Sequence, residues 1–252
     1  MRRAWSCLIQ RRWLLFYPLA VSIVSVLTFF AIYAAQGGTL GWSSFFVSYH
    51  ERAQYLHDQF ITDFTFGSEL WVPIAAGIGF CLINSLIQAP FFRAIVGHRY
   101  PLAPQTWRET TRLFAFYFVL SLITHVAPLA LLATDVLGLV VTIVIVAIGV
   151  TVVFADYVIV FEDVGLIAAV RRSLRLVQLR VGSVIAVIVA VWAVYWLIMW
   201  GYGSYYKPGE KVFFLLPVSQ VLVEALVSLF ATILLVFLYE DLRKQSPARA
   251  NA

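Results

Sequence analysis

The chain holds 252 residues (28.4 kDa), 62% of them hydrophobic and only 12% charged, with a mean hydropathy of +0.89 and a formal charge of +5. A soluble domain averages about 45–50% apolar and about 25% charged residues, so this chain has too little polar surface to coat a water-soluble globule and too much apolar content to stay disordered. Its basic residues lie at the ends of apolar runs rather than in one patch, which excludes nucleic acid as the partner and leaves the lipid bilayer.

At about 1.5 Å per residue, about 20 apolar residues cross roughly 30 Å of hydrocarbon. Six segments reach that length: 13–36, 69–92, 110–133, 136–161, 181–206 and 212–239. Hydrocarbon offers no water to open backbone groups, so each must be a helix, including the Val- and Ile-rich stretch from Val140 to Val153. The first has signal-peptide features: arginines, then an apolar stretch, then Ala34 and Ala35. Its apolar stretch exceeds the roughly 7–15 residues of a cleavable core, which favours an uncleaved span.

Segment 44–64 follows Gly37 and Gly38. Phe46, Tyr49, Ala53, Leu56 and Phe60 recur at spacings of three and four, so an amphipathic helix on the outer surface is expected, with Ser44 as its cap. Between the fourth and fifth spans, 163–178 reads as a second amphipathic helix, on the inner surface. Leu166, Ile167, Val170, Leu174 and Val177 share one face, and Arg171, Arg172 and Arg175 share the other. Asp163 is expected to cap its start. Such a helix is either a membrane-surface connector whose arginines meet lipid phosphates, or a coupling element for a cytoplasmic protein.

Only Arg52, Lys207 and Lys211 fall on outer segments; the other 15 of 18 basic residues fall on inner ones if the N-terminus is inside. The positive-inside rule therefore predicts an all-α, polytopic protein of six transmembrane helices, both termini cytoplasmic, in a plasma (inner) membrane. The whole chain, 1–252, reads as a single integral membrane domain. Trp192, Trp196, Trp200, Tyr202, Tyr205 and Tyr206 crowd the outer end of the fifth span as an interfacial belt. Gly182, Ala186 and Ala190 recur at spacing four, as do Ala75 and Gly79, which predicts close helix contacts at those faces.

A resemblance emerges from Glu162-Asp163-Val164-Gly165, Ala168-Ala169, Arg172-Ser173-Leu174 and Leu176-Val177, together with the closing Leu238-Tyr239-Glu240-Asp241-Leu242-Arg243. This C-terminal third resembles the six-helix membrane domain attached to some bacterial glycerophosphodiester phosphodiesterases, and that domain's stand-alone prokaryotic relatives. The phosphodiesterase barrel has no counterpart here. The resemblance therefore implies a bacterial inner-membrane protein and no hydrolase activity.

Ionisable residues inside spans are functional hypotheses by default. Glu224 stands in the sixth span, with Gln220, Ser228 and Thr232 at spacing four on one stripe. His125, on the third span, reaches a depth within about 3 Å of Glu224 at 1.5 Å per residue and is its expected partner. Pro128 frees the carbonyl of Thr124, and Asn84, Ser85 and Gln88 add polar groups on the second span. Asp156 is expected to meet Arg171 or headgroup water. The stripe either glues helices together or lines a hydrated path.

Chemistry is otherwise sparse. Cys7 and Cys81 form no paired framework and no metal spacing. His50-Glu51 lacks the second histidine of a zinc protease, and neither a Gly-x-Ser-x-Gly elbow nor a phosphate-binding glycine loop occurs. No catalytic residue, metal or cofactor is expected. The first expectation is a non-enzymatic membrane protein that acts as an assembly, scaffold or accessory subunit alongside other membrane or peripheral subunits. The alternative is a permease or transport component built around Glu224.

Overall fold

The computed structural model describes residues 2–35, 71–97, 107–131, 135–205 and 215–245. Segment 44–64 lies outside them. Within them every element is helical: α1 (Arg2–Gln10), a 3-10 turn (Arg12–Leu15), α2 (Phe16–Ala35), α3 (Trp71–Val96), α4 (Trp107–Leu131), α5 (Asp135–Val152), α6 (Ala155–Glu162), α7 (Leu166–Leu179), α8 (Val181–Tyr205) and α9 (Leu215–Gln245). Among the described residues four stretches are long and apolar enough to cross a membrane: Ala75–Val96, Ile143–Glu162, Val181–Tyr202 and Val218–Gln245. Arg12–Thr28 is a shorter apolar stretch, and the expected third span coincides with α4.

Sequential helices α2, α3, α4 and α5 pack side by side, and α9 closes onto α2, α3 and α8. Short α6 and α7 wedge between them at one end, α6 against α3 and α4, α7 against α5 and α9. The buried core gathers at that end. It combines Leu14, Phe91, Phe92 and Ile95 with Phe154 to Phe161 and with Leu229 to Leu242. Aromatic rings fill it: Phe92 lies 4.5 Å from Tyr157, and Phe161 stacks on Tyr239 at 5.7 Å. The same end carries the arginines of α3, α4, α7 and α9.

The Val- and Ile-rich stretch is helical, as lipid demands, but it is interrupted. α5 stops at Val152 and α6 restarts at Ala155. No proline is present. The cause is Ser173 on α7, whose hydroxyl donates to the Thr151 carbonyl at 2.6 Å and accepts from the Phe154 amide at 3.1 Å. These are backbone groups that would otherwise bond along one continuous helix, and a side chain inserted into that ladder is a recognised origin of kinks.

The turn from α6 to α7 corrects two expectations. Asp163 does not cap α7. It adopts a left-handed conformation (φ 49°, ψ 41°) at the end of α6, and Gly165 takes the N-cap position with no side-chain cap. A short polar side chain tolerates that backbone, and the Asp163 carboxylate meets Arg112 at 2.6 Å instead. The buried face of α7 is Ala169, Ser173, Leu176 and Val177, whereas Ile167 is 70% exposed and Leu174 39%. α7 is docked against α5, α6 and α9 rather than lying free on a surface, so the face it buries is rotated away from Ile167 and Leu174 toward Ala169, Ser173 and Leu176.

Among the described residues the small-residue faces are not packed on. Gly182, Ala186 and Ala190 are all exposed, and a Cβ added at Gly182 or Gly79 would meet nothing within 4 Å. α8 is nearly bare: 6% of its span is buried, and Val184 is its one buried residue among the described side chains. Its inward contacts run chiefly to α9.

Candidate functional site

Glu162 ends α6 and organises the basic end of the bundle. Tyr239, fully buried on α9, donates its hydroxyl to Glu162 Oε1 at 2.9 Å. Arg172 Nε on α7 stands 3.4 Å from Oε2, and Arg243 Nε on α9 stands 3.7 Å from Oε1. One carboxylate thus ties three helices. Around it, Val164, Ile167, Ala168, Arg171, Arg172 and Arg175 line a groove of about 490 Å³. The groove exists because α7 turns back on α6 through three residues, with the slim Val164 and Ala168 leaving space where longer side chains would fill it.

Two further anchors hold the helices that support this groove. Arg93 on α3 donates to both carboxylate oxygens of Glu109 on α4 at 2.7 Å, with side chains only 13% and 5% exposed. Arg11 donates to the carbonyls of Ala94 (2.8 Å) and Ile95 (3.2 Å), covering the last turn of α3 with positive charge. Gly97 follows at φ +71°, and a Cβ there would sit 2.5 Å from Arg11 Nη2. Cys7 Sγ approaches the Ile95 carbonyl at 4.0 Å; burial raises its thiol pKa, and the Arg11 charge offsets part of that.

The intramembrane stripe is assembled in part. Gln220 Nε2 donates to Glu224 Oε1 at 2.9 Å, and the Tyr195 hydroxyl on α8 reaches the Glu224 carbonyl at 3.4 Å. Gln220 is 2% exposed, and its Oε1 finds no donor among the described residues. The Ser228 carbonyl accepts from Thr232 Oγ1 at 2.8 Å within α9. Asn84 Oδ1 accepts from Gln88 Nε2 at 3.1 Å within α3, so this pair closes on itself. The side chain of His125 lies outside the described residues. α9 packs chiefly on α1, α2, α3, α7 and α8, and α4, which carries His125, is not in that set.

Asp156 departs from its expected partner. It accepts from the Tyr117 hydroxyl on α4 at 3.2 Å and from the Tyr157 amide at 2.9 Å, not from Arg171. α4 packs beside α6, and Asp156 opens α6, so the acid faces a neighbouring helix instead of α7. Arg171, Arg172 and Arg175 lie together on the groove wall.

The roles of Glu162, Ser173 and Glu109 escaped sequence reasoning. Glu162 carried one usable signal, an acid at the end of an apolar run just before an arginine-rich helix. Ser173 carried another, a small polar residue at the centre of a helix face.

Among the described residues no group of three or more metal-ligating side chains occurs. Comparison with family models, with curated proteins and with solved structures finds nothing that matches this chain.

Proposed function

We propose that the chain is a non-enzymatic, six-span protein of a bacterial inner membrane, both termini cytoplasmic, that serves as an assembly or accessory subunit. The observation that carries this reading is α8. A membrane helix with Gly182, Ala186 and Ala190 turned outward offers the close backbone approach that drives helix association in lipid, and no described residue packs against it. The tightly tied basic end supports the same reading, since it holds the fold together while α8 stays available.

The test is purification of the full chain in mild detergent, read by native mass spectrometry. A stoichiometric membrane partner is expected, and Ala186→Phe with Ala190→Phe removes it while the chain stays folded. A lone monomer in both detergent and nanodiscs refutes the reading.

A transport role is the second reading, and one observation favours it: a buried Gln220 Oε1 that no described residue donates to, beside the Glu224 carboxylate. Such an acceptor pair suits a water or a cation with N–H or O–H groups. Glu224→Gln that alters stability and leaves flux unchanged removes this reading.

A further inference from the structure

α7 has three sectors. Ala169, Ser173, Leu176 and Val177 face the protein. Ile167 and Leu174 form an uncovered apolar edge, and Arg171 and Arg175 form a cationic edge beside it. Apolar surface is unfavourable in water, and guanidinium is unfavourable in hydrocarbon. The headgroup layer of a bilayer satisfies both at once. Chain connectivity fixes α7 at that depth. Only three residues separate it from Glu162, which closes one candidate span, and Arg180 is followed directly by Val181, which opens the next.

We infer that the groove beside Glu162 is a binding site for the phosphate of an anionic phospholipid headgroup, held by Arg171, Arg172 and Arg175, with acyl chain along Ile167 and Leu174. Guanidinium forks match phosphate oxygens two at a time. Arg171 and Arg175 are one turn apart on the helix, about 5–6 Å between Cβ atoms, so like charges repel until an anion is shared between them. No ion pair joins either to another described residue. The one acid in the groove, Glu162, is already engaged by Tyr239, Arg172 and Arg243, which removes most of its repulsion toward a phosphate. A phosphopeptide would meet the same arginines but has no use for an apolar wall that continues into hydrocarbon. The site is independent of the outward face of α8.

The test titrates the detergent-purified full chain with phosphatidylglycerol or phosphatidylcholine and counts bound lipid by native mass spectrometry. Phosphatidylglycerol binds preferentially to the wild type. Arg171→Gln with Arg175→Gln weakens it about thirtyfold, equivalent to about 2 kcal/mol at 1.4 kcal/mol per decade, the effect of two surface arginines. Arg12→Gln with Lys244→Gln, at the same end but outside the groove, leaves the preference intact. If the double variant does not fold, Arg171→Gln alone reads about a fivefold loss by the same arithmetic. Unchanged lipid binding in these groove variants overturns the inference. So does full displacement of the lipid by soluble glycerol phosphate, which marks a free-phosphate site, or by a phosphopeptide, which marks a protein-docking site.

Discussion

Replacing Ser173 with alanine deletes one oxygen from a fully buried position and orphans two backbone groups, the Thr151 carbonyl at 2.6 Å and the Phe154 amide at 3.1 Å. A buried polar group that loses its partner costs about 1–3 kcal/mol. Two such groups set a ceiling near 6 kcal/mol, by the same range. Partial closure of the gap between α5 and α6 lets one of them find a neighbouring backbone partner, so we expect a loss of about 2–3 kcal/mol. Unfolding in mixed micelles, followed by helical circular dichroism, measures it. Hydrogen exchange supplies the mechanism: the Phe154 amide should exchange faster in Ser173→Ala, while amides of α9 stay protected. Ser173→Thr keeps the hydroxyl but adds a methyl where no space is open, so about 1–3 kcal/mol is lost to overpacking with Phe154 still protected. A loss below about 0.5 kcal/mol in Ser173→Ala, with no change at Phe154, would refute the claim that this hydroxyl maintains the break.

The remaining expectations concern the same end of the molecule. Gly97→Ala forces a side chain into φ +71° and pushes the Arg11 guanidinium off the α3 carbonyls, so a loss of about 2–3 kcal/mol is expected in the same unfolding assay. Glu109→Gln leaves a largely buried Arg93 without its counter-charge and should cost about 3 kcal/mol, whereas Arg93→Met with Glu109→Leu should cost distinctly less; a double-mutant cycle with no coupling sinks this account. Tyr239→Phe retains the aromatic stack but loses the bond to Glu162, costing about 1–2 kcal/mol and adding non-additively with Glu162→Gln. Burial holds the Cys7 thiol protonated to higher pH than in the unfolded chain, so its stabilising contribution is complete below the unfolded thiol pKa and is lost as pH rises through the folded one. Maleimide labelling of Cys7 should therefore be slower in the folded protein, with its pH midpoint displaced upward; equal profiles would count against a buried thiol.

Much of the architecture was readable from residue order alone. Hydrocarbon leaves the backbone no partner but itself, so long apolar runs become helices whatever their local preference, and the valine-rich α5 obeys that rule. The arginines of α7 and the Gln220–Glu224 pair were legible too, because spacing along one helix decides which side chains are neighbours. Contacts between helices were not. Sequence periodicity defines an apolar arc but not what covers it: Ile167 and Leu174 belong to the expected face of α7, yet the protein covers Ala169 and Ser173 instead. Asp156 met Tyr117 and Asp163 met Arg112 because α4 packs beside α6, a neighbour relation that no local pattern encodes. The small-residue stripe of α8 was visible in the sequence, but only packing showed that the described helices leave it exposed. Composition and period thus determined helicity and the preference for lipid, through solvation of single residues. Tertiary structure decided where Glu162 gathers its ligands and where Ser173 breaks a helix, since both depend on groups distant in sequence brought within hydrogen-bond reach.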